Sequence, residues 1–155
     1  MSYLLTPKEE LINRVKKLQN QLLIKEVNGV LLTKNVDIYY YSGTMQNSMM
    51  FIPSNNEPIL FVKKSLDRAK SETPFSVEEL GNIKNLPNQI QGMGNTITSI
   101  GIEMDVIPYN LFQKVQRAFS ESKFIDISNT ILIYFIWILI IYNLLNITKE
   151  SKSLI

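Results

Sequence analysis

A chain of 155 residues, 45% hydrophobic and 19% charged, has the size and mix of one packed domain rather than of a disordered or fibrous polymer. Its net charge of +2 comes from 16 basic residues scattered among 14 acidic ones, so no basic stripe is present to follow a nucleic-acid backbone. Histidine and cysteine are both absent, which excludes Ser–His and Cys–His nucleophile pairs, removes the imidazole on which hydrolytic metal sites usually lean, and fits a reducing cytoplasm.

The first residues, MSYLLTPKEE, lack the charged and then long apolar stretch of a secretion signal. They lead instead into a helix start: Thr6 is expected to cap, Pro7 to take the first helical position and Glu9 to complete a capping box. Leu11, Ile12, Val15, Leu18, Leu22 and Leu23 then recur at helical spacing, while Glu10, Asn13, Lys16, Lys17 and Asn20 fall on the opposite side. This predicts a one-face amphipathic helix of about 18 residues that covers a sheet.

Residues 27–62 carry the strongest pattern. Val30, Leu31 and Leu32 follow Asn28-Gly29 as a short apolar run, the mark of a strand buried on both faces. Residues 49–52 and 59–62 are two more such runs, joined by Pro-Ser-Asn-Asn-Glu-Pro, which predicts an antiparallel hairpin with a loop longer than the minimum. Between the first two strands, Asn35-Val36-Asp37 is expected to form a polar turn and Gly43 to allow a reversal at positive φ. Tyr39, Tyr40 and Tyr41 would alternate faces if extended, with at least one directed outward.

Ser65 is expected to cap a short helix that ends before Thr73-Pro74, and residues 75–77 to form an edge strand. Leu80, Ile83, Leu86 and Ile90 suggest one or two short helices interrupted by Pro87 and closed by Gly92-Met93-Gly94. That last segment is a turn and not a dinucleotide fingerprint, since no strand leads into it and no third glycine follows. Residues 100–103 read as a buried strand, 108–120 as a helix with Phe112, Val115 and Phe119 on one face, and 124–127 as a final strand. Strands that alternate with helices, plus one hairpin, indicate an α/β layered fold with a mixed sheet. The carboxylate pairs Glu103/Asp105 and Glu78/Glu79 are assigned solvated-face or capping roles, Asp105 as part of the cap that precedes Pro108, and no catalytic residue is assigned.

In their order, NGVLLT, NVDIYYYSG, the FIP and PILFV strands, LDRAKSE, IGIE and FIDIS resemble the N-terminal domain of the creatinase/prolidase family, which includes Xaa-Pro aminopeptidases and Xaa-Pro dipeptidases. The resemblance covers about residues 8–129. It implies a three-layer α/β fold with a mixed sheet of five or six strands and helices on both faces. In the family, catalysis belongs to a second domain that holds two divalent metal ions, such as Mn, so the resemblance implies a chain with no catalytic activity and no metal site of its own. It also implies a homodimer, or association with a full-length peptidase homologue, with proline-containing peptides reached only through a catalytic domain. Asp37 with Tyr40 or Tyr41 would then line a peptide-access channel; the alternative is that the tyrosines pack in a sheet with their hydroxyls at its rim. A ligand- or protein-binding module that has kept only the fold is the other reading.

On this basis residues 1–129 form the family-like domain and residues 130–155 an apolar tail. Residues 131–142, ILIYFIWILIIY, replace what in the family resembles a polar linker helix. A helix of that length rises about 18 Å, short of the ~30 Å hydrocarbon core, and extension to residue 147 brings in Asn143 and Asn146. Three readings stay open: an apolar terminal helix, the product of an altered reading frame in a longer gene, or a membrane anchor over residues 131–147 with Lys149 and Lys152 on the cytoplasmic side.

Overall fold

The computed structural model describes residues 6–131, so the expectations for the tail beyond residue 131 lie outside the described residues. Helix α1 (Lys8–Ile24) buries Leu11, Val15, Leu18 and Leu22, the stripe expected from the spacing. Two details differ. Pro7, rather than Thr6, is the N-cap, and since its ring carries no acceptor no side chain caps the helix; Glu10 and Leu11 N–H bond to the Pro7 carbonyl. Leu23, expected in the core, is 54% exposed because the helix ends there in a Schellman turn. Val27 N–H bonds to the Leu22 carbonyl and Glu26 N–H to that of Leu23, with Glu26 held at φ 57°.

After β1 (Gly29–Leu32) comes α2 (Asn35–Ser42), then the hairpin of β2 (Ser48–Pro53) and β3 (Ile59–Val62). Next are α3 (Leu66–Glu72), the edge strand β4 (Ser76–Glu79), a 3₁₀ turn (Ile83–Asn85) and α4 (Leu86–Gly92). Here Pro87 does not interrupt a helix; it sits in the first turn of α4, where its missing N–H costs nothing. Ser65 lies at the start of α3 in the left-handed region, but its side chain makes no cap bond. The chain closes with β5 (Ser99–Ile102), α5 (Tyr109–Ala118) and β6 (Lys123–Asp126). Pro108, not Asp105, stands at the N-cap of α5, and no side chain caps that helix.

The six strands form one sheet in the order β4-β3-β2-β1-β5-β6. Both β1 and β3 run antiparallel to β2, whereas β1–β5, β5–β6 and β3–β4 are parallel, so β2 alone runs against the rest. Alternate residues feed two cores. Val30, Leu32, Met50, Ile52, Leu60 and Val62 meet α1, α2 and α3 on one face. Leu31, Met49, Phe51, Ile59, Phe61, Ile100 and Ile102 meet the 3₁₀ turn, α4 and α5 on the other. Each such side chain, taken fully from water, contributes about 1.5–3 kcal/mol, which explains why strands covered on both faces read as unbroken apolar runs. This is the three-layer, mixed α/β architecture expected.

Register at the amino ends of β1 and β5 is fixed by one side chain. Asn28 Oδ1 accepts from Ser99 N–H at 2.8 Å and from Thr98 Oγ1 at 2.6 Å, while Asn28 N–H donates to Ser99 Oγ at 3.0 Å. Because β1 and β5 are parallel, their carboxyl ends also emerge together, and the functional candidates gather there.

Candidate functional site

The segment at residues 35–43 is a helix, not a polar turn followed by an extended tyrosine run. Tertiary packing overrides the β-propensity of the tyrosines: Ile38 and Tyr41, one helical turn apart, face the core, and Asp37 and Tyr41 share that inner side. Gly43, at φ 77°, closes the helix by donating its N–H to the Tyr39 carbonyl.

The three candidate residues are therefore placed unequally. Asp37 and Tyr41 are buried at 0% and 1% exposure, and Tyr40 is half-buried with its ring edge-on to Tyr41 at 4.8 Å. Arg14 of α1 stacks over the Tyr40 ring at 4.3 Å, donates to the Tyr40 carbonyl at 2.8 Å and pairs with Glu10 at 3.0 Å, which fixes α2 against α1. Tyr39 is the tyrosine directed to the surface, next to Val36 on the outer side of α2.

The residue that sequence reasoning missed is Glu103. Expected on a solvated face, it is buried just past β5, where its carboxyl lies within hydrogen-bonding reach of Asp37. Lys34 Nζ stands 3.6 Å from Asp37 Oδ2 at the rim. Burial, and then the charge of Asp37, pushes Glu103 up to about 7. Burial also raises Asp37, with Lys34 opposing. Neither Asp37 carboxyl oxygen has a hydrogen bond of ordinary geometry among the described residues, although Lys34 and the residue's own amide oppose the effect of burial. No local sequence signal marks this pair, because one half lies in the first turn of α2 and the other follows β5, far along the chain.

The turn after Glu103 is held from the other side. Met104 N–H donates to Asp126 at 3.3 Å and Asp105 N–H to Ser128 Oγ at 3.4 Å, and the Ser128 side chain and amide hold Asp126 below the usual carboxylate range. At the far end of α2, Thr44 Oγ1 donates to Glu72 at 2.5 Å and Arg68 to the same carboxyl at 2.7 Å. Burial pushes Glu72 up, but these two donors outweigh it and hold it low.

Chemically, this end offers two carboxyls, an adjoining ammonium and a surface of Val36 and Tyr39. Among the described residues no group of three or more acidic, His or Cys side chains could hold a metal ion. Two buried carboxyls beside a lysine ammonium supply too few oxygen ligands for a pair of divalent ions, so no metal-dependent step is assigned to these residues. A separate polar groove of about 560 Å³ lies between α4 and the end of α5, lined by Asn88, Gln91, Thr96, Thr98, Glu121 and Ser122 among others.

Among known proteins, the chain is 21% identical over 125 residues to an uncharacterized peptidase of Staphylococcus epidermidis, which covers 77% of this chain and 35% of that protein. It is 22% identical over 120 residues to a Xaa-Pro dipeptidase of Pyrococcus horikoshii, with 76% and 33% covered. The chain thus spans about a third of the length of these curated relatives. Its fold superimposes on the crystal structure of the creatinase/prolidase N-terminal domain of an X-Pro dipeptidase from Streptococcus pyogenes with a TM-score of 0.66 at 22% identity, over 77% of this chain and 97% of that one. Residues 14–133 match the model of the creatinase/prolidase N-terminal domain, and the chain belongs to that family.

Proposed function

We propose that this chain serves a Xaa-Pro peptidase as its non-catalytic N-terminal unit, supporting dimerisation and substrate access to a metallopeptidase site supplied by another domain or chain. The observation that carries this reading is the match of residues 14–133 to an N-terminal domain that, in the Streptococcus pyogenes dipeptidase structure, is covered almost end to end. The metal ions, Mn or another divalent cation, would belong to that other domain. The partner is a second copy or a full-length homologue, and the compartment is the cytoplasm. Among the described residues no helix is long and apolar enough to cross a membrane.

Substrate access is assigned to the α2 end, with a refinement from burial. Asp37 and Tyr41 support the helix from beneath, and the surface presented to a peptide is the open side of Tyr40 together with Tyr39. The test is hydrolysis of Xaa-Pro dipeptides and tripeptides with added Mn²⁺, by the pure chain and by the chain mixed with a full-length homologue, alongside its sedimentation behaviour. No turnover by the chain alone, together with self-association or binding to the homologue, is expected. Turnover by the pure chain, or a strict monomer that ignores the homologue, overturns the reading.

The groove between α4 and α5 favours a second reading, a ligand-binding module, because its lining of side-chain amides and hydroxyls with the Glu121 carboxyl suits a polar ligand rich in hydrogen-bond donors. A rise in melting temperature with such ligands, lost in Gln91→Ala, would favour it.

A further inference from the structure

Two buried acids, Asp37 with neither carboxyl oxygen hydrogen-bonded by ordinary geometry among the described residues, stand past the adjacent carboxyl ends of the parallel strands β1 and β5. Asp37 lies in the first turn of α2 with its side chain 1% exposed, and Glu103 follows β5 at 6% exposure. The strands beneath, β1 (GVLL) and β2 (SMMFIP), bring no charge to the pair. Arg14 on the neighbouring α1 is committed to Glu10 and Tyr40, and Asp126 to Ser128 and Met104. The groups that act on the pair are Lys34, half-exposed at the rim, and Asp105 in the turn after β5.

We propose that Asp37 and Glu103 form a proton-dependent latch that fastens the start of α2 to the end of β5, closed while one proton is shared between the two carboxyls and loosened when both ionise. A shared proton turns an acid–acid repulsion into a hydrogen bond; without it, two carboxylates meet in a site with one partial counter-charge. Once open, both groups meet water and return to ordinary acidity, so the open form gives up a proton that the closed form keeps to about pH 7. Opening is therefore favoured progressively as pH rises from about 4.5 and levels off above about 7. The exposed apolar side chains on the two elements that the latch joins are Val36 and Tyr39 on α2, and Met104 and Val106 on the turn after β5. The latch stands on the described domain alone and is independent of the peptidase reading.

Amide hydrogen exchange on the full chain across this pH range tests it. After correction for intrinsic exchange, protection of the α2 amides should fall about tenfold per pH unit between about pH 5 and 7 and then level, as one-proton linkage requires. The α5 amides, on the opposite face, should hold theirs. Glu103→Gln, a neutral side chain that still donates, should remove the pH dependence from α2. Flat α2 protection in the natural chain, an unchanged slope in Glu103→Gln, or an equal fall in α5 would each overturn the latch. Should the variant not fold, carbon-13 titration of the natural chain's carboxyls decides: a shared step near neutrality supports the latch, and ordinary acidity for both groups overturns it.

Discussion

The two faces of the sheet differ in what they bury. The face under α4 and α5 is an apolar layer that buries Phe51 and Phe61, with Phe112 edge-on to Phe124 at 5.6 Å. The face under α1 and α2 is apolar as well, but its rim at the carboxyl ends of β1 and β5 encloses Asp37 and Glu103. The first face depends on volume alone. The second depends on volume and on a proton, so its stability follows pH.

Four substitutions would break or sharpen that contrast. The largest effect is expected from Phe51→Ala, which should cost about 3–5 kcal/mol through the lost ring and the cavity left behind, equally at every pH in urea unfolding. Next is Glu103→Gln. The folded-state value of Glu103, about 7, lies above its ordinary 4.5, so the natural protein should lose stability as pH rises through that window and stay level above it. The variant should escape that loss and gain up to about 3 kcal/mol relative to the natural chain at pH 8. A gain that did not grow between pH 4.5 and 7 would place the proton elsewhere.

Gly43→Ala tests the same face by shape. Its φ of 77° disfavours any side chain, and an added Cβ would stand 2.7 Å from Leu11 Cδ1. A loss of about 1–3 kcal/mol without pH dependence is expected from thermal unfolding. The smallest effect should come from Glu26→Gly. Glu26 holds φ 57° in the turn that ends α1, where glycine has no Cβ to strain, so a gain of up to about 1 kcal/mol is expected.

Most of the scaffold was legible because burial on both faces writes itself into the chain. The runs at Val30-Leu31-Leu32, residues 49–52 and residues 59–62 are all fully buried strands. The α1 stripe was legible up to Leu22 and misread at Leu23, where the helix ends and nothing covers its side chain. Helix α2 was missed because three consecutive tyrosines favour a strand by propensity, whereas what decides is Ile38 and Tyr41 meeting the core one turn apart. Its stop signal, Gly43 after Ser42, is present in the sequence but fits a turn equally well. The carboxyl pair had no local signature at all: Glu103 becomes informative only when the parallel pairing of β1 and β5 brings it to Asp37.

The outermost strands carry a consequence for assembly. Strand β4 ends in Glu78 and Glu79, and β6 begins with Lys123 and ends with Asp126. Charges on an outer strand discourage another chain from adding its own strand there, since the newcomer would have to strip water from them without offering a match. Among the described residues, growth of this sheet by lateral addition is therefore disfavoured at both of its outer strands.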